Sequence, residues 1–261
     1  MTASRHAFIT GAGSGIGKAI ALRLASEGHA ISLAGRRAQP LQEVAAAIAA
    51  SGGQAAAIAD FDVTDAAQVK AGIAKAIERF GDIAVLINCA GEAPSAAFEK
   101  TDNAMWNRVI AINLTGTFLV TQAALPSIKR VAGGRIVNIA STAGLVGYPY
   151  VSAYCASKHG VVGLTRALAL ELAQTQTKIT VNAVCPGFTQ TPLIDNAIAT
   201  IVAKTGRTPE QARASLARSN PQGRLVTPEE VAHTVSWLVS DGAGSITGQS
   251  IAVAGGEVMA G

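Results

Sequence analysis

The stretch TGAGSGIG, residues 10–17, decides how the rest of the chain is read. It lies between an apolar run, HAFIT (6–10), and GIGKAIALRLASEG (15–28), whose apolar residues recur at helical spacing. Its glycines do not follow G-x-G-x-x-G, because Ile16 stands where the third glycine of that pattern would fall. The spacing is G-x-x-x-G-x-G on Gly11, Gly15 and Gly17, with Gly13 as an extra. Glycines at a strand-to-helix turn let the backbone bend sharply and approach a ligand closely. The helix that follows presents unpaired N–H groups and a positive dipole end, which suit a pyrophosphate. Gly11, Ser14, Gly15, Ile16 and Gly17 are therefore candidate cofactor-binding residues. A plain glycine turn has the same composition, so the loop must be weighed with what surrounds it.

Outward from the loop, short apolar runs alternate with longer helical patterns. After a stop at Gly28 come AISLAG as a strand and PLQEVAAAIAASGG as a helix, with Pro40 at the expected first helical position. QAAAIAD, the nearly continuous apolar run IAVLINCAG, RIVNIAS, KITVNAVCPG and GQSIAVAGG read as further strands. Helical patterns separate them: TDAAQVKAGIAKAIERFG, a long one from about Asp102 to Arg130, SAYCASKHGVVGLTRALALELA, and TPEEVAHTVSWLVS capped by Thr227. Strands alternating with helices mean β-α-β units. The expectation is one α/β domain over residues 1–261, a doubly wound, Rossmann-like parallel sheet with helices on both faces. Residues 188–224 break the rhythm, with a capping signal of their own at Thr208–Gln211. A long insertion at the carboxyl end of a strand covers the ligand crevice in this architecture, so a substrate lid is expected at about 189–222.

Composition excludes several classes. Hydrophobic residues make up 49% and charged residues 15% of the chain, a globular balance and not a disordered one. No unbroken apolar run approaches the ~18 residues of a membrane span, and only six residues precede AFIT, too few for a secretory leader. No membrane partner is expected. Cys89, Cys155 and Cys185 are odd in number and lack a C-x-x-C pair, which argues against a disulfide framework or a zinc site and for a reducing, cytoplasmic compartment. The net charge is +4 without a block of like charges, so no nucleic-acid stripe is present. The one tight basic pair is Arg36-Arg37, at the end of the second strand. In nicotinamide-binding folds an acidic residue there holds the adenosine ribose; here the position is Gly35, followed by two guanidinium forks that match a 2′-phosphate. The expected cofactor is NADP(H), with Arg36 and Arg37 as its discriminating contacts.

The chemistry points to STAGLVGYPYVSAYCASK, residues 141–158. Tyr154 and Lys158 are four apart on an expected helix and share a face. A phenol with a pKa of ~10 is a poor base at neutral pH, and a nearby ammonium would lower that value. Ser141 falls at the carboxyl end of the preceding strand, where sites of open α/β sheets lie. Tyr148 and Tyr150 lack a lysine four residues on; both pocket wall and core remain open for them.

Along nearly its whole length the chain resembles the short-chain dehydrogenase/reductase family. The carrying residues are Thr10-Gly11-x-x-x-Gly15-x-Gly17, Asp62-Val63, NCAG at Asn88–Gly91, Asn113, Ser141, Tyr154-x-x-x-Lys158 and Pro186-Gly187. The resemblance implies Tyr154 as acid/base, Ser141 holding the substrate oxygen, Lys158 binding the nicotinamide ribose and lowering the tyrosine pKa, and Asn113 holding a relay water. It further implies Asn88, Ala90 and Gly91 beside the adenosine-ribose and pyrophosphate side, Asp62 and Val63 at the adenine, Pro186 and Gly187 in the cofactor site, and Thr191 at the nicotinamide amide. Cys89 stands where a second Asn is frequent, and Ala254 where Asp is frequent. The implied activity is NADP(H)-dependent hydride transfer between the nicotinamide and a small-molecule ketone or secondary alcohol, in a homotetramer or homodimer. For the substrate, a 3-oxoacyl thioester is the first expectation, with lid residues Arg207, Arg213 and Arg218 facing either a phosphate-bearing carrier or water. A free ketone, a steroid-like molecule or a sugar is the alternative. A silent regulator sensing the nicotinamide pool would keep the glycine loop and lose Tyr, Ser or Lys; all three are present.

Overall fold

The structure, a computed structural model, describes residues 5–174 and 177–259; residues 1–4, 175–176 and 260–261 of the expected domain lie outside the described residues. Seven parallel strands form one sheet in the order β3-β2-β1-β4-β5-β6-β7. The strands are β1 (His6–Thr10), β2 (Ala30–Ala34), β3 (Gln54–Ile58), β4 (Ile83–Asn88), β5 (Arg135–Ile139), β6 (Thr180–Pro186) and β7 (Ser250–Val253). The strand order reverses between β1 and β4, and in open sheets of this kind ligands bind outside the carboxyl ends at that point.

The helices that cover the sheet are α1 (Gly15–Ser26), α2 (Ala38–Ala50), α3 (Ala66–Phe80), α4 (Asn103–Ile110), α5 (Gly116–Ile128), α6 (Ser152–Ala173) and α9 (Pro228–Val239). Two clusters of buried side chains fill the two faces. In β4, Val85 and Ile87 join α1, α2 and α9, while Leu86 and Ile83 join α3, α5 and α6. That division is the physical reason the strand reads as an unbroken apolar run: both of its faces are core. Phe8 is fully buried on the second face against Phe61, with ring centroids 5.4 Å apart.

The structure corrects one local expectation and adds detail to two others. The helix after Gly35 starts at Ala38 with Arg37 as its N-cap, so Pro40 is its third residue. The ring is tolerated because the first-turn N–H groups have no intrahelical partner in any case. The pattern from Asp102 is one helical run of two α segments joined by a π turn, Ala111–Thr115. Asn103–Ile128 is also long and apolar enough, by length and composition, to cross a membrane, a feature that no unbroken apolar run announces. Here Val109, Val120, Ala124 and Ile128 of that run are fully buried in the protein. Finally, the insertion holds two helices, α7 (Pro192–Thr205) and α8 (Pro209–Ala217), with a small core of Ile194, Ile198, Ala212 and Leu225. Only α8, through its Thr208–Gln211 capping box, was announced by a local signal.

Candidate active site

The glycine loop joins β1 to α1 at the switch point. A Cβ on Gly17 would stand 2.8 Å from the Gly11 carbonyl carbon, so only glycine lets the first turn of α1 close onto the loop. Gly15 has φ +52°, and a Cβ there would lie 3.2 Å from Thr191 Cγ2, which places Thr191 across from the loop. Thr10 ends β1, and its hydroxyl oxygen accepts from the Cys89 and Ala90 N–H groups at 3.0 and 3.1 Å. The loop and the NCAG turn are thereby tied together. These are the features a pyrophosphate cradle needs: a backbone without side chains and a free helix N-terminus. The residues present fit a dinucleotide.

On the β2 side, Arg36 and Arg37 are exposed and, among the described residues, neither has a carboxylate within ion-pair distance. Asp62 follows β3. Its carboxylate accepts from the Thr64 N–H and hydroxyl at 2.9 and 2.8 Å. The Thr64 N–H holds its pKa below the ordinary carboxylate value against the opposing effect of burial, with the Thr64 hydroxyl and the Arg36 charge as smaller contributions in the same direction. Val63 is buried against Gly116 of α5. The Asn88 side chain points into the protein. Its amide donates to Thr121 Oγ1 at 2.9 Å and Asn138 Oδ1 at 2.8 Å, and Asn138 in turn donates to Thr165 Oγ1 at 2.9 Å. This chain of buried polar groups joins β4 and β5 to α5 and α6.

On the β5 side the structure brings Asn113, Ser141, Tyr154 and Lys158 into one region. Tyr154 is the third residue of α6, and Lys158, one turn on, has its ammonium 5.7 Å from the phenol ring centroid. Lys158 Nζ donates to the Ile139 carbonyl at the end of β5 at 2.8 Å. Ser141 lies just beyond that strand; its hydroxyl oxygen accepts from the Ala143 N–H at 3.1 Å and is bonded to the Tyr154 phenol. Asn113 sits in the π turn, fully buried. Its amide N donates to the Glu92 carbonyl at 2.9 Å and Ser157 Oγ at 3.0 Å, and its Oδ1 accepts from the Glu92 N–H at 2.9 Å. Gly91 passes beside both: a Cβ there would be 3.1 Å from Asn113 Oδ1 and 3.6 Å from Lys158 Nζ.

The electrostatics differ from the expectation that the ammonium lowers the phenol. Burial pushes the Tyr154 phenol up to about 12, against the Ser141 hydrogen bond that pulls it down. Burial also brings Lys158 down to about 8, so the ammonium is itself destabilised. Loss of water is the largest cause for both groups. The nearby thiols are pushed up by burial as well, Cys89 to about 12 and Cys185 to about 11, which favours their protonated form at neutral pH. Among the described residues no group of three or more His, Cys, Asp or Glu could hold a metal ion.

The Tyr148 hydroxyl bonds to Thr142 Oγ1 at 2.9 Å and donates to Glu257 Oε1 at 2.8 Å, and its ring meets Phe188 edge-on at 6.1 Å. Tyr150 is exposed with φ +67°, its carbonyl accepting from the Ala96 N–H at 2.9 Å. Glu257 has no motif around it and could not be found from spacing. Of the lid arginines, Arg213 pairs with Asp195 at 3.4 Å, while Arg207 and Arg218 are exposed.

A parallel doubly wound sheet with a glycine loop opening a helix at its switch point, and a Tyr-x-x-x-Lys pair with a serine at the next strand ends, is the arrangement of a nicotinamide-dependent oxidoreductase. Comparison with known proteins narrows the class. The short chain dehydrogenase family matches residues 5–201. A protein described as a ketoacyl reductase of the monensin polyketide synthase of Streptomyces virginiae is 41% identical over 255 residues, 97% of each chain. Cyclohexanol dehydrogenase of an Acinetobacter species is 39% identical, covering 97% of this chain and 94% of that one. Among solved structures, a substituted actinorhodin polyketide ketoreductase with NADPH superposes with a TM-score of 0.92 at 39% identity, covering 97% of each chain. The chain belongs to the short chain dehydrogenase family and is an oxidoreductase acting on keto or hydroxyl groups.

Proposed function

We propose that the protein reduces a ketone to a secondary alcohol with NADPH, and that 3-oxoacyl thioesters are its substrate class. The observation that carries the reaction is the convergence of Ser141, Tyr154 and Lys158 at the ends of β5 and α6, with the phenol held protonated. NADPH, when bound, supplies the hydride. Gly11, Ser14, Gly15, Ile16 and Gly17 hold its pyrophosphate through backbone groups. Arg36 and Arg37, neither with a carboxylate within ion-pair distance among the described residues, would take the 2′-phosphate. Asp62, Val63, Asn88, Ala90 and Gly91 wall the adenosine half, and Pro186, Gly187 and Thr191 the nicotinamide half.

The Ser141 hydroxyl holds the substrate carbonyl oxygen. Tyr154 gives that oxygen its phenolic proton as negative charge develops there, and a phenol raised toward 12 is fully protonated at neutral pH. The Lys158 ammonium lies close enough to stabilise the phenolate left behind, and it would hold a ribose hydroxyl of the bound cofactor. Asn113 fixes the Glu92 backbone and the Ser157 hydroxyl behind Tyr154; its π turn is where a relay water would sit. Support for the thioester comes from the ketoacyl reductase relative and the polyketide ketoreductase neighbour. A free cyclic ketone is the second reading, supported by the cyclohexanol dehydrogenase at similar identity. A homo-oligomer and a cytoplasmic setting belong to the same proposal, the latter supported by three cysteines without a disulfide.

The test is NADPH oxidation with acetoacetyl thioester and with cyclohexanone, in the wild type and two variants. Tyr154→Phe should abolish turnover and leave NADPH binding nearly intact. Lys158→Ala should damage both. Near-normal turnover by Tyr154→Phe would sink the assignment, and turnover of cyclohexanone alone would overturn the thioester.

A further inference from the structure

At the amino ends of β2 and β3, a cleft of about 320 Å³ lies between the carboxyl ends of α1 and α2. Ser26, Gly28, Ser51, Gly52 and Gln54 form its exposed rim, and His29 is part of its wall. The two helices stop in the same way. The Gly28 N–H donates to the Ala25 carbonyl at 3.0 Å and the Gly52 N–H to the Ala49 carbonyl at 2.9 Å, with both glycines at positive φ, +91° and +79°. A Cβ on either glycine would have nothing within 4 Å, so neither turn is packed against a neighbour at that point. Arg36 and Asp62 follow the other ends of the same two strands. Five strand residues at about 3.3 Å each put the cleft roughly 17 Å from the expected adenosine side.

His29 is 5% exposed. Its Nδ1 lies 3.3 Å from the Arg5 carbonyl, which can only accept, so Nδ1 carries the ring proton. Burial lowers the ring's pKa from 6.5, against the Arg5 carbonyl bond and the Glu27 charge, so at neutral pH Nε2 is a bare acceptor. Nε2 has no hydrogen-bond partner among the described residues, and it is not one of the sealed unpaired atoms, which belong to Asn88, Arg135, Ser152, Ser250 and Glu257. It therefore reaches open space, and the cleft is the open space that His29 borders. The other fixed polar groups of the wall are acceptors too. The Ser26 and Ser51 hydroxyls spend their protons on the Arg23 and Ala47 carbonyls at 2.7 and 3.3 Å. The N–H groups of residues 28–30 and 51–53 all donate within the protein. Only the exposed Gln54 amide could donate, so the cleft does not suit an anion. The helix ends also lack a free countercharge. The last turn of α2 has no basic residue, and Arg23 in the last turn of α1 is paired with Glu27 at 2.8 Å. Arg5 is committed to Asp241 and to the Gly133 and Val239 carbonyls. Two negative dipole ends thus meet at the cleft without a cation of their own.

We propose that this cleft binds a small organic cation carrying a primary ammonium, seated between His29 Nε2 and the carboxyl ends of α1 and α2. An ammonium has three donors and no acceptor, the complement of a wall made of acceptors. Nε2 takes one N–H, and the Ser26 and Ser51 oxygens and the chain-end carbonyls take the others. The hydrocarbon part lies along Ala25 and Ala30. A metal ion fits less well, because the wall holds one imidazole and no carboxylate or thiol. The site is separate from the reductase reading and stands or falls without it. Hydrogen bonds from a charged donor are among the stronger ones, so removing one acceptor or all the N–H groups should weaken binding by roughly tenfold.

The experiment titrates the NADPH-saturated protein at neutral pH with n-butylammonium chloride and follows the amide resonances of Gly28, Gly52 and Gly53 by NMR. These shifts should saturate, with half-saturation below about 10 mM. Tetramethylammonium, with the same charge and no N–H, and 1-butanol, with the same chain and no charge, should each bind roughly tenfold more weakly. His29→Phe keeps a ring and removes the acceptor, and should cost roughly tenfold in affinity. Should His29→Phe fail to fold, Ser51→Lys decides: Ser51 is exposed, and a tethered ammonium at the end of α2 should displace butylammonium with a loss of roughly tenfold. Half-saturation above about 10 mM, either control within about threefold of butylammonium, or an affinity within about threefold of wild type in the variant that decides, overturns the inference. Ketone turnover does not enter the readout, so failure here leaves the reductase reading untouched.

Discussion

Adding one methyl group at Gly17 probes the proposed phosphate cradle directly. A Cβ there would stand 2.8 Å from the Gly11 carbonyl carbon and 3.2 Å from the Ala12 Cα, and closer still to the Gly11 oxygen. Carbon atoms in contact sit about 3.5–4.0 Å apart, so the loop and the first turn of α1 must separate by roughly 1 Å. Everything in the way is backbone, and no rotamer change relieves it. Two effects then compete. Alanine is favoured over glycine inside a helix by about 1 kcal/mol. Overpacking costs about 1–3 kcal/mol, and the displaced N–H groups no longer reach the pyrophosphate. Losing two charge-assisted hydrogen bonds at about 1.5–3 kcal/mol each weakens the cofactor by about 3–6 kcal/mol, or roughly 100- to 10,000-fold. Gly163→Ala is the matched control: Gly163 is exposed on α6 with nothing within 4 Å of a Cβ. Propensity acts alone there, and the unfolding midpoint should rise. NADPH fluorescence titration and thermal unfolding of both variants decide the matter. A Gly17→Ala protein that binds NADPH within about threefold of wild type would refute the cradle.

Three further outcomes are expected. Gly35→Asp combined with Arg36→Ser should swing the ratio of catalytic efficiencies toward NADH by about two orders of magnitude, because a carboxylate replaces the countercharge to the 2′-phosphate; a wild type already preferring NADH would make the arginines surface decoration. The lid at about 189–222, whose small core is separate from the clusters on the sheet, should exchange its amides faster than the central strands without ligands and slow down when cofactor and substrate bind; equal protection in the free protein would count against it. His6 and His29 are both lowered from 6.5 by burial, so the unfolded chain takes up protons first and stability should fall as pH drops below about 6.5. His6→Asn should flatten that slope by up to about 1.4 kcal/mol per pH unit, and a denaturant-unfolding series between pH 5 and pH 7 with no change in slope would show the ring is not held neutral.

Much of the fold and part of the site were legible in the sequence because both depend on local spacing. A short unbroken apolar run assigns β4 and the period of 3.6 residues assigns α1, and the alternation of such elements dictates a parallel sheet. Tyr154 and Lys158 meet because four residues is one helical turn, whatever surrounds them. The glycine loop is visible because its requirement, a backbone free of Cβ atoms, is written in residue type. The helix α7 was not legible: its apolar residues face a small core made with α8 and Leu225, and that core exists only once the insertion has folded.

Protonation states were beyond the sequence for a different reason. Spacing places an ammonium near a phenol and predicts a lowered pKa; the tertiary structure removes water from both, and desolvation reverses the sign for Tyr154 and pulls Lys158 down. Asn88 and Asn113 carry no mark in the sequence to say that one joins a buried network between strands and helices while the other clamps the Glu92 backbone. The meeting of Glu257 with Tyr148, more than a hundred residues apart, depends on β7 pairing beside β6 and on the turn that follows it. Short-range periodicity is encoded residue by residue, but a contact of that sequence separation is decided by which strands become neighbours.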